Sequence, residues 1–136
     1  MPSVIVKRPI QIIVITTEAF KQDLLKEIQE SVDAVQRHIE QMEFQGRRAL
    51  ADLQRTNLNQ AMALRQQLEA EKRKYEDMKK ELEQRREEVE KLELDEEYPR
   101  GTMESEVEIK VGDNLFEKLS QAQIIIKDGV VQDITE

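Results

Sequence analysis

Residues 18–94 contain one glycine and no proline, and they make up more than half of a 136-residue chain. The stretch is rich in Glu, Gln, Lys, Arg, Leu and Ala, which enter a helix at little cost. Its apolar residues recur at alternating spacings of three and four, the mark of a helix with one buried seam. A first series runs Leu25, Ile28, Val32, Val35, Ile39 and Met42, passes a weak Gly46, and continues through Ala49 and Leu53 to Thr56. A second runs Ala61, Leu64 and Leu68, passes Glu71, then continues through Tyr75, Met78 and Leu82 past Arg85 to Val89 and Leu92. The two series are out of phase. Extending the first would put Gln60, Ala63 and Gln67 on the seam.

Two structures satisfy this pattern. One is a continuous helix with a phase slip, about 115 Å long at 1.5 Å per residue. The other is a hairpin with a turn near residues 56–60 and arms of about 57 Å by the same rise. The turn is favoured. The break falls near the midpoint of the segment, and Asn57 and Asn59 suit a left-handed or capping conformation. Folding there sets Ile28 against Val89, Val35 against Leu82, Met42 against Tyr75 and Gly46 against Glu71. Gly46 on the seam is read as a place where the packing adapts.

The ends of the chain have strand character. Val4-Ile5-Val6 and residues 10–15 read as one strand interrupted by Pro9, kinked or at a sheet edge there because proline lacks a ladder donor. Thr16 or Thr17 suits a helix N-cap. The helix is expected to end near Leu94, and Tyr98-Pro99-Arg100-Gly101 to punctuate the chain. Val107, Ile109 and Val111 alternate with charged residues as a half-buried strand. Residues 115–119 form a short connector. Residues 122–127 and 130–134 flank Asp128-Gly129, a two-residue hairpin signal. The expected fold is α+β: a long antiparallel helical hairpin, with a small β-sheet or partial barrel head formed by the N-terminal strand and the C-terminal strands. The expected divisions are 1–17, 18–94 and 95–136.

Composition removes several functions. Without cysteine there is no disulfide, thiol nucleophile, or cysteine-ligated zinc or iron–sulfur site. No apolar run approaches the eighteen residues of a membrane span. The apolar run after Lys7-Arg8 is too short for a signal peptide and carries Gln11. The single histidine, His38, lies beside the seam as an exposed flank residue. Carboxylate pairs such as Glu27/Glu30 and Glu40/Glu43 have helical spacing but read as solvated faces. The four glycines are scattered, so no phosphate-cradling loop exists. No catalytic, cofactor or metal site is expected, and no cofactor.

Charge is unevenly spread. The chain carries a net −8, and residues 95–136 hold eleven acids against four bases. Residues 44–68, the expected hairpin tip, hold Arg47, Arg48, Arg55 and Arg65 against Asp52 alone. With Gln54, Asn57, Asn59 and Gln60, these arginines form the one candidate contact surface, of a kind that can meet phosphates. The acidic whole argues against general nucleic-acid binding, so any RNA contact is local to the tip.

Thr16-Thr17-Glu18-Ala19-Phe20 leading into the charged helix, followed by Lys110-Val111-Gly112-Asp113 and Ile125-Ile126-Lys127-Asp128-Gly129, resembles the YlqD-like family of small bacterial proteins over nearly the whole chain. That family has no assigned activity or functional residues. Its genes often neighbour those for ribosome assembly and RNA modification. The resemblance therefore implies a cytoplasmic bacterial protein, and it raises a ribosome or RNA connection slightly, by association and with no mechanism attached.

The function expected is that of a non-enzymatic interaction or scaffold protein. Its helical arm or β head would contact a protein or ribonucleoprotein partner, away from any membrane. A holdase-like chaperone, similar to prefoldin-like folds, is the alternative, with Leu50, Leu58 and Met62 as its apolar surface. Unpaired seam surface, or the apolar second face of the N-terminal strand, would favour a homodimer, and the sequence leaves the oligomeric state open.

Overall fold

The computed structural model describes residues 2–120 and 122–135. Met1, Gln121 and Glu136, which fall within the expected end segments, lie outside the described residues. The chain forms two compact units, Met1–Lys21 with Leu92–Glu136, and Gln22–Lys91.

The first unit is built on a four-stranded sheet. Strands β1 (Ser3–Ile15), β2 (Glu97–Lys110), β3 (Gln123–Lys127) and β4 (Val130–Thr135) lie in the order β2-β1-β3-β4. The sheet is open: β2 and β4 are its two edges, so the partial-barrel option does not describe it. β1 pairs antiparallel with β2 and parallel with β3. The chain passes from β2 to β3 through a short helix, α3 (Leu115–Leu119). Asp128 and Gly129, at φ 49° and 81°, make the tight turn between β3 and β4. Both central residues with positive φ match the turn that fits the strands' right-handed twist.

Two expectations about this sheet are corrected. Pro9 does not interrupt β1, which runs unbroken and pairs Pro9 with Glu104. Gln11 donates its N–H to Ala122 O at 3.0 Å, towards β3. By strand alternation the proline nitrogen faces the same way. There β3 has not begun, because it pairs only with Gln11 to Val14, so β1 has a free edge at Pro9, the sheet-edge position expected of it, and no ladder bond is lost. Nor does Tyr98-Pro99-Arg100-Gly101 separate two elements. It opens β2, which is twice as long as its alternating segment suggested. Pro99 faces Ile13 and Gly101 faces Ile12, so Arg100 is the extra residue of a β-bulge. Gly101 supplies the φ of 148° that this bulge uses.

Ile13, Val14, Thr16 and Ala122 are the buried residues of this unit. Phe20 packs against Tyr98 with ring centroids 5.7 Å apart. Thr17 is the N-cap: its hydroxyl accepts from Phe20 N–H at 3.2 Å and donates to Asp128 Oδ1 at 2.6 Å.

The second unit is the helical hairpin, formed by α1 (Glu18–Thr56) and α2 (Leu58–Glu90). One residue, Asn57, separates them. It sits in extended backbone (φ −156°, ψ 99°), and its side chain accepts from Gln60 N–H at 3.2 Å. Its own N–H reaches Leu53 O, and its carbonyl accepts from Ala61 N–H. A single asparagine thus closes one helix and caps the next, as its preference for caps allows. α2 stops at Glu90, before the expected Leu94. Its last turn has no basic residue to meet the negative helix end, and Asp95 beyond it has a left-handed φ of 70°.

Burial follows the predicted seam at Ile28, Val32, Ile39, Gly46, Ala61 and Val89. Ala49, Glu71, Met78 and Arg85 stay exposed. Two helices alone enclose only a narrow strip between them, so the flanks of the seam remain open to solvent.

Candidate functional site

The hairpin is cross-linked by rungs one heptad apart. Arg86 donates to Gln29 Oε1, Lys79 donates to Gln36 Oε1 at 2.9 Å, and Lys72 Nζ lies 2.7 Å from Glu43 Oε1. On α1 the rungs follow Ile28, Val35 and Met42 by one residue. They therefore flank the seam pairs expected from a fold about the midpoint. Glu43 is held below the usual carboxylate range by its hydrogen bond to Lys72 and by the charges of Lys72 and Arg47. Lys72 is raised for the reciprocal reason.

Seven residues further along α1 and seven back along α2 the ladder changes. The fourth rung falls on Leu50 and Arg65. Leucine offers no acceptor, and among the described residues Arg65 has no hydrogen-bond or ion-pair partner. Here the hairpin carries a groove of about 370 Å³, with Met42, Gly46, Leu50 and Leu68 in its walls and Arg47 and Arg65 beside them. Gly46 admits this arrangement. A β-carbon there would lie 2.7 Å from Leu68 Cδ1. The glycine expected to face Glu71 thus makes its close contact with Leu68, one turn nearer the tip. Glu71 joins Gly46 and Leu68 in a second groove, of about 350 Å³, that also includes His38. His38 is exposed, as expected, but it also packs on Tyr75 with ring centroids 4.3 Å apart.

The four candidate arginines divide into two sets. Arg47 and Arg65 share the first groove. Arg48 and Arg55 lie on a separate stripe of α1, spaced i+4 and i+11 from Phe44, which puts all three on one helix face. Two of the four are engaged locally: Arg47 with Glu43 at 3.7 Å and Arg55 with Asp52 at 2.9 Å. Arg48, like Arg65, is exposed and has no partner among the described residues.

Phe44 is 63% exposed and belongs to the arginine stripe. Its i, i+4, i+11 relation to Arg48 and Arg55 is the sequence signal that identifies it. On α2, Leu58 and Met62 are 68% and 64% exposed. They share the i, i+4, i+7 stripe of Arg65. Of the hairpin's exposed large apolar residues, only Met78 lies outside this distal half. Among the described residues no group of three or more His, Cys, Asp or Glu side chains is placed to hold a metal ion. No helix among them is long and apolar enough to cross a membrane.

Comparison with known proteins gives a consistent family and fold. The model of the family described as YlqD protein matches residues 4–135, and the chain belongs to that family. A crystal structure of a protein of unknown function from Synechococcus sp. WH 8102 is similar over 99% of this chain and 96% of its own, at 31% identity and a TM-score of 0.88. No curated protein matches the chain.

Proposed function

We propose that this member of the YlqD family is a non-enzymatic interaction protein that binds a protein or ribonucleoprotein partner through the distal half of its helical hairpin. One observation carries the reading: among the described residues, Arg48 and Arg65 stand without partners in the same region as exposed Phe44, Leu58 and Met62. Proximal to that region the interhelical rungs are satisfied. Cations left without local acceptors beside exposed apolar side chains are the composition of a contact surface, in which arginine and aromatic residues are enriched. The family resemblance supports a partner in the bacterial cytoplasm, with ribosomal particles as the first candidates.

The test is sedimentation of the protein with a bacterial lysate through a sucrose gradient, at low and high salt, beside an Arg48→Ala/Arg65→Ala variant. Co-migration with ribosomal particles that high salt and the variant both abolish is the expected result. Protein that stays at the top of the gradient throughout removes the ribosomal partner. A holdase role is the second reading, supported by exposed Leu58 and Met62. Suppression of aggregation of a denatured client, lost in Leu58→Ser/Met62→Ser, would favour it over the first.

A further inference from the structure

The ladder of Gln29–Arg86, Gln36–Lys79 and Glu43–Lys72 has a consequence at its distal end. Each of those three rungs pairs a cationic donor on α2 with an acceptor on α1. At the next position α1 supplies Leu50 and α2 supplies Arg65. The cation is retained and the acceptor is missing. In its place lies the apolar groove of Met42, Gly46, Leu50 and Leu68. Because Gly46 has no side chain, half-buried Leu68 packs against it, and both line the groove.

We infer that this groove binds an acidic amphipathic helix of a protein partner, which lays apolar side chains against Met42, Leu50 and Leu68 and supplies Arg65 with a carboxylate. The inference rests on reading the distal hairpin as an interaction surface and names the partner's chemistry. The geometry is that of an amphipathic helix meeting a hydrophobic groove, with anchors at i, i+3, i+4 and i+7. Charge sets the sign of the partner. Residues 44–68 carry four arginines against one aspartate. Arg47, Arg65 and Lys72 line the groove against Glu43 and Glu69, a net of one positive charge. Glu43 already engages Lys72 at 2.7 Å and Arg47 at 3.7 Å, so Arg65 is the groove's cation without a partner among the described residues. Arginine favours a planar carboxylate as its counter-group.

RNA fits this groove less well. No aromatic side chain lines it, two carboxylates (Glu43 and Glu69) do, and the hairpin's exposed aromatic, Phe44, stands on the other arginine stripe. A second copy of the chain is the rival occupant, because its acidic residues 95–136 expose Leu115 and Phe116, and light scattering separates the two.

The test selects peptides on the full-length protein. A display library of helical peptides is used, with apolar residues at the four anchor positions and every other position randomised. Enrichment of Glu or Asp beside the apolar stripe is expected. An enriched peptide, measured by fluorescence anisotropy, should bind Arg65→Glu about tenfold more weakly, and replacing its acid by Lys should restore binding to that variant. Arg65 is exposed, so the variant keeps its fold, which circular dichroism checks. The bound peptide should shift the NMR signals of the Gly46 amide and of the Leu50 and Leu68 methyls.

Enriched peptides with no acidic preference, or equal binding to Arg65→Glu, overturn the proposal. So does an Arg65-dependent dimer seen by light scattering without peptide, which makes a second copy the occupant. A mixed-sequence RNA oligonucleotide that binds through the groove residues overturns it as well. If the groove fails these tests while co-migration in the gradient persists, the interaction reading stands and its surface is the Phe44 stripe.

Discussion

Gly46 and Leu68 meet so closely that a β-carbon on the glycine would stand 2.7 Å from a leucine methyl. The contact opposes two effects. Replacing a helical glycine by alanine gains about 1 kcal/mol in backbone propensity. The new methyl must displace the end of the Leu68 side chain, and that loss offsets the gain. Gly46→Ala should therefore change stability little in the native chain. In a Leu68→Ala background the obstruction is gone, and the same substitution should recover about 1 kcal/mol. A double-mutant cycle by urea unfolding checks this. Equal effects in the two backgrounds would show that the contact does not constrain the site.

The Glu43–Lys72 rung predicts a dependence on acid and base. The carboxyl is held below its ordinary value of 4.5, so its contribution is present above that value and lost as pH falls through the lowered one. Lys72 is raised above 10.5, so its contribution is present below that value and lost as pH rises through the raised one. The pair supports the hairpin between these limits. The melting temperature of the native protein should exceed that of Glu43→Gln near neutral pH, and the two should converge in acid. Thermal melts followed by circular dichroism across the acid range provide the comparison, and a difference that persists in acid would contradict the rung. Both side chains are partly exposed, which keeps the effect modest and sensitive to salt.

Ile28 is 3% exposed and sits on the seam. Truncating it removes apolar contact in a structure with few buried residues to compensate. Ile28→Ala should cost about 2–4 kcal/mol, while Phe44→Ala on the exposed stripe should cost little. Chemical denaturation of the two variants measures the contrast. Similar losses for both would mean that Phe44 is part of the core.

Thr16 is fully buried, and its hydroxyl has no hydrogen-bond partner among the described residues. Its backbone is held: Thr16 N–H donates to Glu96 O at 2.9 Å, and Asp95 N–H donates to Thr16 O at 2.8 Å. Valine keeps the shape and removes the unsatisfied group. Thr16→Val should stabilise the protein by about 1 kcal/mol. A destabilised variant would show that the hydroxyl is satisfied in solution.

Asn57 ends α1 and caps α2 through its side chain. Asn57→Ala should cost about 1 kcal/mol as the cap is lost, and Asn57→Asp should retain most of the stability. Thermal melts of both variants check the assignment.

Periodicity made the helical arms and their seam legible. An alternation of three and four over two long series leaves few ways to bury the apolar residues, and a phase break between the series locates the turn. Asp128-Gly129 was equally plain, because only a small set of residues accepts positive φ at both central positions of a tight turn. The start of β2 was hidden by its own chemistry. Proline and glycine normally interrupt a strand, but a bulge accommodates them, and it exists only because β1 lies opposite. The tolerance of Pro9 has the same origin. It depends on where β3 begins, more than a hundred residues later in the chain.

At the candidate site, sequence alone determined that the distal half of the hairpin is basic within an acidic chain, since charge is a property of composition. It also determined the residue types at each heptad position. Only the tertiary structure decided that Arg65 lacks an acceptor among the described residues, because a rung across the hairpin is a distance between two elements, whereas pairs at i,i+3 and i,i+4 within one helix are set by spacing. Arg47 and Arg55 find carboxylates on their own helix, whereas Arg65 faces Leu50 across the hairpin. That pairing exists only once the two arms have set their register, and it turns a cluster of four arginines into a groove with one unmet cation.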